Sequence, residues 1–103
     1  MTVSLFWRIQ TGDFDSWLNP DPEGLEQMLQ SQGVTAFSLH RGADDRNAVM
    51  VRMEFSDRDA IAAFESWYGP MSQEWQKEHA GSEHEIVDRW IGDDVPGYAK
   101  QLG

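Results

Sequence analysis

Apolar and polar side chains alternate from Val3 to Gln10, with Val3, Leu5, Trp7 and Ile9 on one side and Ser4, Phe6, Arg8 and Gln10 on the other. This is the two-residue period of a strand. Thr11-Gly12-Asp13 breaks the run, and Phe14, Trp17 and Leu18 then fall at i, i+3 and i+4, the spacing of an amphipathic helix. Asn19-Pro20-Asp21-Pro22 interrupts that turn. Asp21 can cap a new start with Pro22 at the first helical position, and Leu25, Met28 and Leu29 continue the stripe until Gly33. The spacing predicts a kinked or broken helical element over residues 14–32.

Val34 to Arg41 reads as a second strand with Thr35, Phe37 and Leu39 on its greasier face. Residues 42–47 are turn formers, and Ala48 to Phe55 is a third strand whose odd positions are wholly apolar. The two strands are expected to pair as an antiparallel hairpin. Ser56, followed by Asp57 and Asp59, predicts a hydroxyl-capped helix start with acids where the helix dipole favours them. Ala60, Ile61, Ala63, Phe64, Trp67 and Tyr68 mark its buried stripe. Gly69-Pro70 is expected to stop this helix and begin a shorter one in which Met71, Trp75 and His79 stack at intervals of four until Gly81. From Glu83 to Ile91 a last strand sets His84, Ile86, Asp88 and Trp90 against Glu85, Val87, Arg89 and Ile91.

The order of these elements predicts an α+β domain over residues 1–91, a ferredoxin-like βαββαβ arrangement with a four-stranded antiparallel sheet, followed by a polar tail over 92–103. Helices must cover one sheet face. The other carries Phe6 and Met50, and with them Trp90, among Arg8, Arg52 and Glu54. That mixture is too greasy to stay bare and suits a second copy across a two-fold axis. Arg8, Arg52, Glu54 and Asp88 read as an interface network or as a polar handle for a substrate.

Charge sharpens the picture. The 103 residues hold 18 acidic and 8 basic side chains, a net charge of −10, and a pI near 4.4. Nucleic-acid binding draws its affinity from clustered Lys and Arg, so nucleic acid is not an expected partner. No apolar run approaches the ~20 residues that span a bilayer, and no secretory leader is recognisable, so a soluble cytoplasmic protein without a membrane partner is expected. The chain has no cysteine, which removes disulfides and thiolate metal sites.

Familiar catalytic motifs are missing. The sequence holds no Gly-rich phosphate loop, no Gly-x-Ser-x-Gly elbow and no His-Glu-x-x-His helix. Glu83-His84-Glu85 places three metal-capable residues in a row, but strand neighbours point to opposite faces, so neither a metal site nor a cofactor is expected. His79 is the catalytic candidate. It shares a helical face with Met71 and Trp75 and could serve as general base, axial ligand or oriented donor, or simply complement the dipole at a helix C-terminus. His40 reads as a surface residue beside a turn.

The chain has twelve aromatic residues, five of them Trp. Trp7, Trp67, Tyr68 and Trp75 could converge on one cavity suited to a flat hydrophobic ligand, or could be core packing. Two function classes therefore stand side by side. One is a small-molecule site with a proton-handling histidine; the other is a non-catalytic binding or stress-related domain.

The element order over residues 3–91 resembles the dimeric α+β barrel superfamily, most nearly the antibiotic biosynthesis monooxygenase-like proteins. The features that carry the resemblance are Asp13-Phe14-Asp15-Ser16-Trp17 at the first helix, the Val49 to Phe55 strand running into Ser56-Asp57, and the Ala60 to Phe64 helix. The resemblance implies a homodimer joined through its sheet faces, with a ligand cavity in each subunit between helices and sheet. It also implies an activity among cofactor-independent oxygenases of polycyclic phenols, polyketide cyclases and haem-degrading monooxygenases. The haem-degrading branch is similar at Trp67 and, with longer spacing, at His79. It uses a first-strand Asn where this chain has Phe6, Trp7 and Arg8.

Overall fold

A computed structural model describes residues 2–103. Its elements in chain order are β1 (Val3–Thr11), α1 (Phe14–Trp17), α2 (Pro22–Ser31), β2 (Ala36–Arg41), β3 (Ala48–Phe55), α3 (Arg58–Glu78) and β4 (His84–Asp93). The strands form one antiparallel sheet in the order β2-β3-β1-β4, the ferredoxin-like arrangement expected from the sequence. The helices lie on one face. β1 and β3 are the central strands, and their odd positions from Val3 to Ile9 and from Val49 to Phe55 are all buried, together with Phe14, Leu29, Val34, Ile61 and Phe64.

Local chemistry explains the helix boundaries. The 14–32 element is broken in two, and Asp21 caps α2 by accepting from the Gly24 N–H at 3.0 Å, with Pro22 in the first turn. α3 is capped by Asp57, which accepts from the Ala60 N–H at 2.8 Å, and not by Ser56. A second correction is that α3 runs unbroken through Gly69-Pro70 to Glu78. Proline deprives the Ser66 carbonyl of its intrahelical donor, but the stripe Phe64, Trp67, Tyr68, Met71 and Trp75 continues across it, and packing holds the two halves as one helix.

The largest departure from the sequence pattern is in β4. Arg8 pairs with Asp88 but Ile9 pairs with Ile86, so Val87 is a bulge. Beyond it the faces exchange. His84 and Ile86 lie on the helix side opposite Thr11 and Ile9, whereas Trp90 lies on the outer face opposite Phe6. Arg89, opposite Trp7, reaches Glu65 of α3 with hydrogen bonds of 2.6 and 2.5 Å and ties helix to sheet.

On the outer face the Trp90 ring packs against Phe6, centroids 5.5 Å apart, and covers Gly92 so closely that a side chain there would collide with it. β4 continues two residues beyond the expected boundary at 91, and Asp94 joins it to the start of β1 through Thr2 and Ser4. Among the described residues no helix is long and apolar enough to cross a membrane.

Candidate functional site

Between α1, α2, α3 and the sheet lies a cavity of about 160 Å³. Its floor comes from the sheet, chiefly Trp7, Ile9, Leu39, Val51 and Met53, whose alternation points them toward the helices. One wall is the α3 stripe of Phe64, Trp67, Tyr68, Met71 and Trp75, repeating every three or four residues. Trp17, Leu18 and Asn19, with Leu25 and Met28, close the opposite side. Four of the five tryptophans line this one space.

Phe64 sits at the centre of the aromatic cluster, with ring centroids 5.7 Å from Trp7, 5.8 Å from Trp67 and 6.0 Å from Tyr68, and Trp7 lies 4.7 Å from Tyr68. The Phe64–Tyr68 pair is stacked and the other three are tilted, both favoured arrangements for aromatic rings. The lining holds no Asp, Glu, Lys or Arg.

Polar atoms gather at one end. Tyr68 Oη lies 2.8 Å from His84 Nε2, Ser72 Oγ lies 3.5 Å from the same nitrogen, and Gln76 donates to Ser72 Oγ at 3.1 Å. His84 Nδ1 faces the Ser82 carbonyl oxygen at 3.1 Å. A carbonyl can only accept, so Nδ1 carries the proton, and Nε2 is left to accept from the Tyr68 hydroxyl. Burial pushes the Tyr68 phenol above its ordinary value, with a Ser72 hydrogen bond opposing in part, and Tyr68 therefore stays protonated through neutral pH. Trp7 contributes a different feature. Its indole Nε1 is buried with no hydrogen-bond partner among the described residues, the costly condition for a donor.

The structure gathers Trp7, Trp67, Tyr68 and Trp75 into the cavity lining. His79 lies elsewhere. It is exposed at the α3 C-terminus, stacked on Trp75 at 3.6 Å with its Nδ1 2.9 Å from the Trp75 carbonyl oxygen, and it is not among the lining residues. The histidine that reaches the cavity is His84, which strict alternation assigns to the face of Trp90. Ile86 and Ile91 hold the missed signal: both are core-type residues, but an odd separation puts them on one face only if a bulge intervenes. Among the described residues no three His, Asp or Glu side chains converge as a metal site.

The sequence matches no family model and no curated protein. Its fold is shared by solved structures. HapK from Hahella chejuensis is 20% identical with a TM-score of 0.66, the match covering 98% of this chain and 99% of HapK. SnoaB from Streptomyces nogalater, a cofactor-independent oxygenase, is 15% identical with a TM-score of 0.61, covering 96% of this chain and 98% of that one. A Bordetella bronchiseptica protein provisionally designated an antibiotic biosynthesis monooxygenase is 17% identical with a TM-score of 0.62, covering 91% and 97%. The chain therefore has the α+β fold of the antibiotic biosynthesis monooxygenase-like proteins. At identities of 20% or less, the likeness defines architecture and leaves chemistry to the site.

Proposed function

We propose that the protein binds a flat, largely apolar aromatic molecule in the cavity and acts on it as a cofactor-independent monooxygenase or cyclase of phenolic or polyketide-like substrates. The observation that carries this reading is an aromatic-walled cavity without a charged side chain whose polar end is the Tyr68–His84 pair. In such a reaction the ionised substrate itself supplies the electrons to oxygen. One oxygen atom enters the ring and the other leaves as water, with both hydrogens drawn from the substrate. The protein's part is to exclude water, hold the ring and move a proton. A homodimer joined through the outer sheet face belongs to the same proposal, supported by the exposed Trp90 and Met50.

Haem fits the residues poorly. His79 is outside the cavity with Nδ1 engaged, both nitrogens of His84 have partners, and no Arg or Lys lines the cavity to receive propionates. A non-catalytic binding protein would use the same cavity.

Titration with hydroxylated arenes, followed by indole emission and by oxygen uptake, separates these readings. Saturable quenching with oxygen consumption supports the oxygenase, quenching alone leaves a binding protein, and silence in both channels removes the small-molecule reading.

A further inference from the structure

His79 lies outside the cavity but against one of its walls. Three of the cavity tryptophans are held by other rings of the fold: Trp7 by Phe64 and Tyr68, Trp67 by Phe64, and Trp17 by Phe14 and His84. Trp75 is the fourth, and its one ring partner among the described residues is His79. The two ring centroids are 3.6 Å apart and the planes lie within 8° of parallel. Trp75 sits half-buried in the last turn of α3. An aromatic side chain on a helix has two common χ1 rotamers, and no deeper ring selects between them here.

The imidazole is itself fixed. Its Nδ1 lies 2.9 Å from the Trp75 carbonyl oxygen, which can only accept, so Nδ1 carries the proton. Histidine near a helix C-terminus commonly satisfies a last-turn carbonyl in this way. The His79 backbone is held as well, its carbonyl accepting from Ser82 Oγ at 2.6 Å and from the Ser82 N–H at 3.2 Å. Ser82 is buried, and its own carbonyl accepts from His84 Nδ1 at 3.1 Å. Gly81, at φ +87°, lies so close to α1 that a β-carbon there would come within 2.8 Å of Ser16 Cβ. The turn from His79 to Ser82 is therefore anchored beside Trp17 on α1 and beside His84 on β4, and through His79 it reaches Trp75 on α3.

Resting on the small-molecule reading above, we propose that His79 is a positioning residue: it braces the Trp75 indole as a wall of the cavity and so sets how tightly a flat ring is held there. The imidazole covers one face of the indole and leaves its other face and its edges to the cavity. Swinging Trp75 to its second rotamer breaks the stack and opens that side of the cavity to water. His79 touches no ligand. It acts through Trp75 alone, and the stack carries the effect, whereas the hydrogen bond to the helix end only orients the imidazole.

The test has one arm without a ligand and one with. In the first, fluorine NMR of the fluorotryptophan-labelled protein follows each indole, with the Trp75 signal assigned by its absence from Trp75→Phe. His79→Ala is expected to shift or broaden the Trp75 signal and to leave the Trp7 signal in place, which also shows that the variant has folded. The second arm uses prodan, an uncharged two-ring acyl-aminonaphthalene whose emission moves to shorter wavelength in dry, apolar surroundings. Wild type is expected to bind it with blue-shifted emission. His79→Ala should bind it about three- to tenfold more weakly, the equivalent of one aromatic pair, and the bound probe should emit further to the red as water enters. His79→Phe keeps a stacking ring and loses the hydrogen bond, and it should restore the Trp75 signal, the affinity and the blue shift together.

A Trp75 signal and a prodan affinity both unchanged in His79→Ala overturn the brace and leave the small-molecule reading standing. Failure of His79→Phe to restore them also overturns it, because the hydrogen bond at the helix end would then carry the effect. A wild type that takes up no prodan, and no other flat arene, overturns the small-molecule reading and the role of His79 in ligand binding with it.

Discussion

Asp94 shows how a single side chain can make part of the stability of this fold depend on pH. Its carboxylate accepts from the hydroxyls of Thr2 at 2.6 Å and Ser4 at 2.7 Å. These bonds, the Thr2 bond first, hold its carboxyl below the ordinary value of 3.8, helped by Arg52. A pKa depressed by folding contributes stability that is present above 3.8 and lost as pH falls through the folded value. Asp94→Asn is therefore expected to unfold more easily than wild type at neutral pH, by less than about 1 kcal/mol because the group is partly solvated. Urea curves for the two proteins should converge as pH drops below 3.8; a constant gap down to pH 2 would contradict this. Residues of this kind are poorly legible in sequence, since Asp94 reads only as a solvated acid. The cavity tryptophans stand out because large aromatics on the buried faces of β1 and α3 must occupy the same layer. His84 does not, because its face depends on a bulge.

At the scale of elements, the positions of strands and helices were readable because alternation and the three-to-four spacing are strong in β1, β3 and α3. What escaped were events that the periods do not encode. Val87 inverts half of β4, and Pro70 is absorbed into α3 because burial of the stripe on both sides outweighs one lost hydrogen bond. The α3 cap shifted from Ser56 to Asp57 for a related reason. Both residues can accept from a helix N-terminus, and only the backbone decides which has the extended conformation, here Asp57 at φ −159 and ψ 175. Asp57→Ala should then cost about 0.5–2 kcal/mol in urea unfolding, whereas exposed Ser56→Ala should change it by less than about 0.5 kcal/mol. Equal effects would place the cap elsewhere.

The whole molecule presents one sheet face that its own helices do not cover. Trp90 is 62% exposed and Met50 40%, on the side of the sheet where Arg8, Arg52, Glu54 and Asp88 also lie. A large exposed aromatic beside charges of both signs suits a self-complementary surface, since a two-fold axis repeats every contact reciprocally and acids and bases on one face can then pair between copies. A net charge of −10 per chain opposes that association at long range, while contact across the face favours it at short range. Salt screens the first and leaves the second largely intact. Light scattering is therefore expected to give about twice the 11.8 kDa chain mass, with dissociation on dilution at about 0.01 M salt suppressed at about 0.15 M. Trp90→Lys should give the monomer mass with an unchanged circular dichroism spectrum, because Trp90 contributes little to the core of its own subunit. A wild-type monomer at both ionic strengths would leave the outer face without the partner inferred from it. Because the cavity opens on the helix side of the sheet, the monomeric variant should still bind arenes, and that result would separate assembly from ligand recognition.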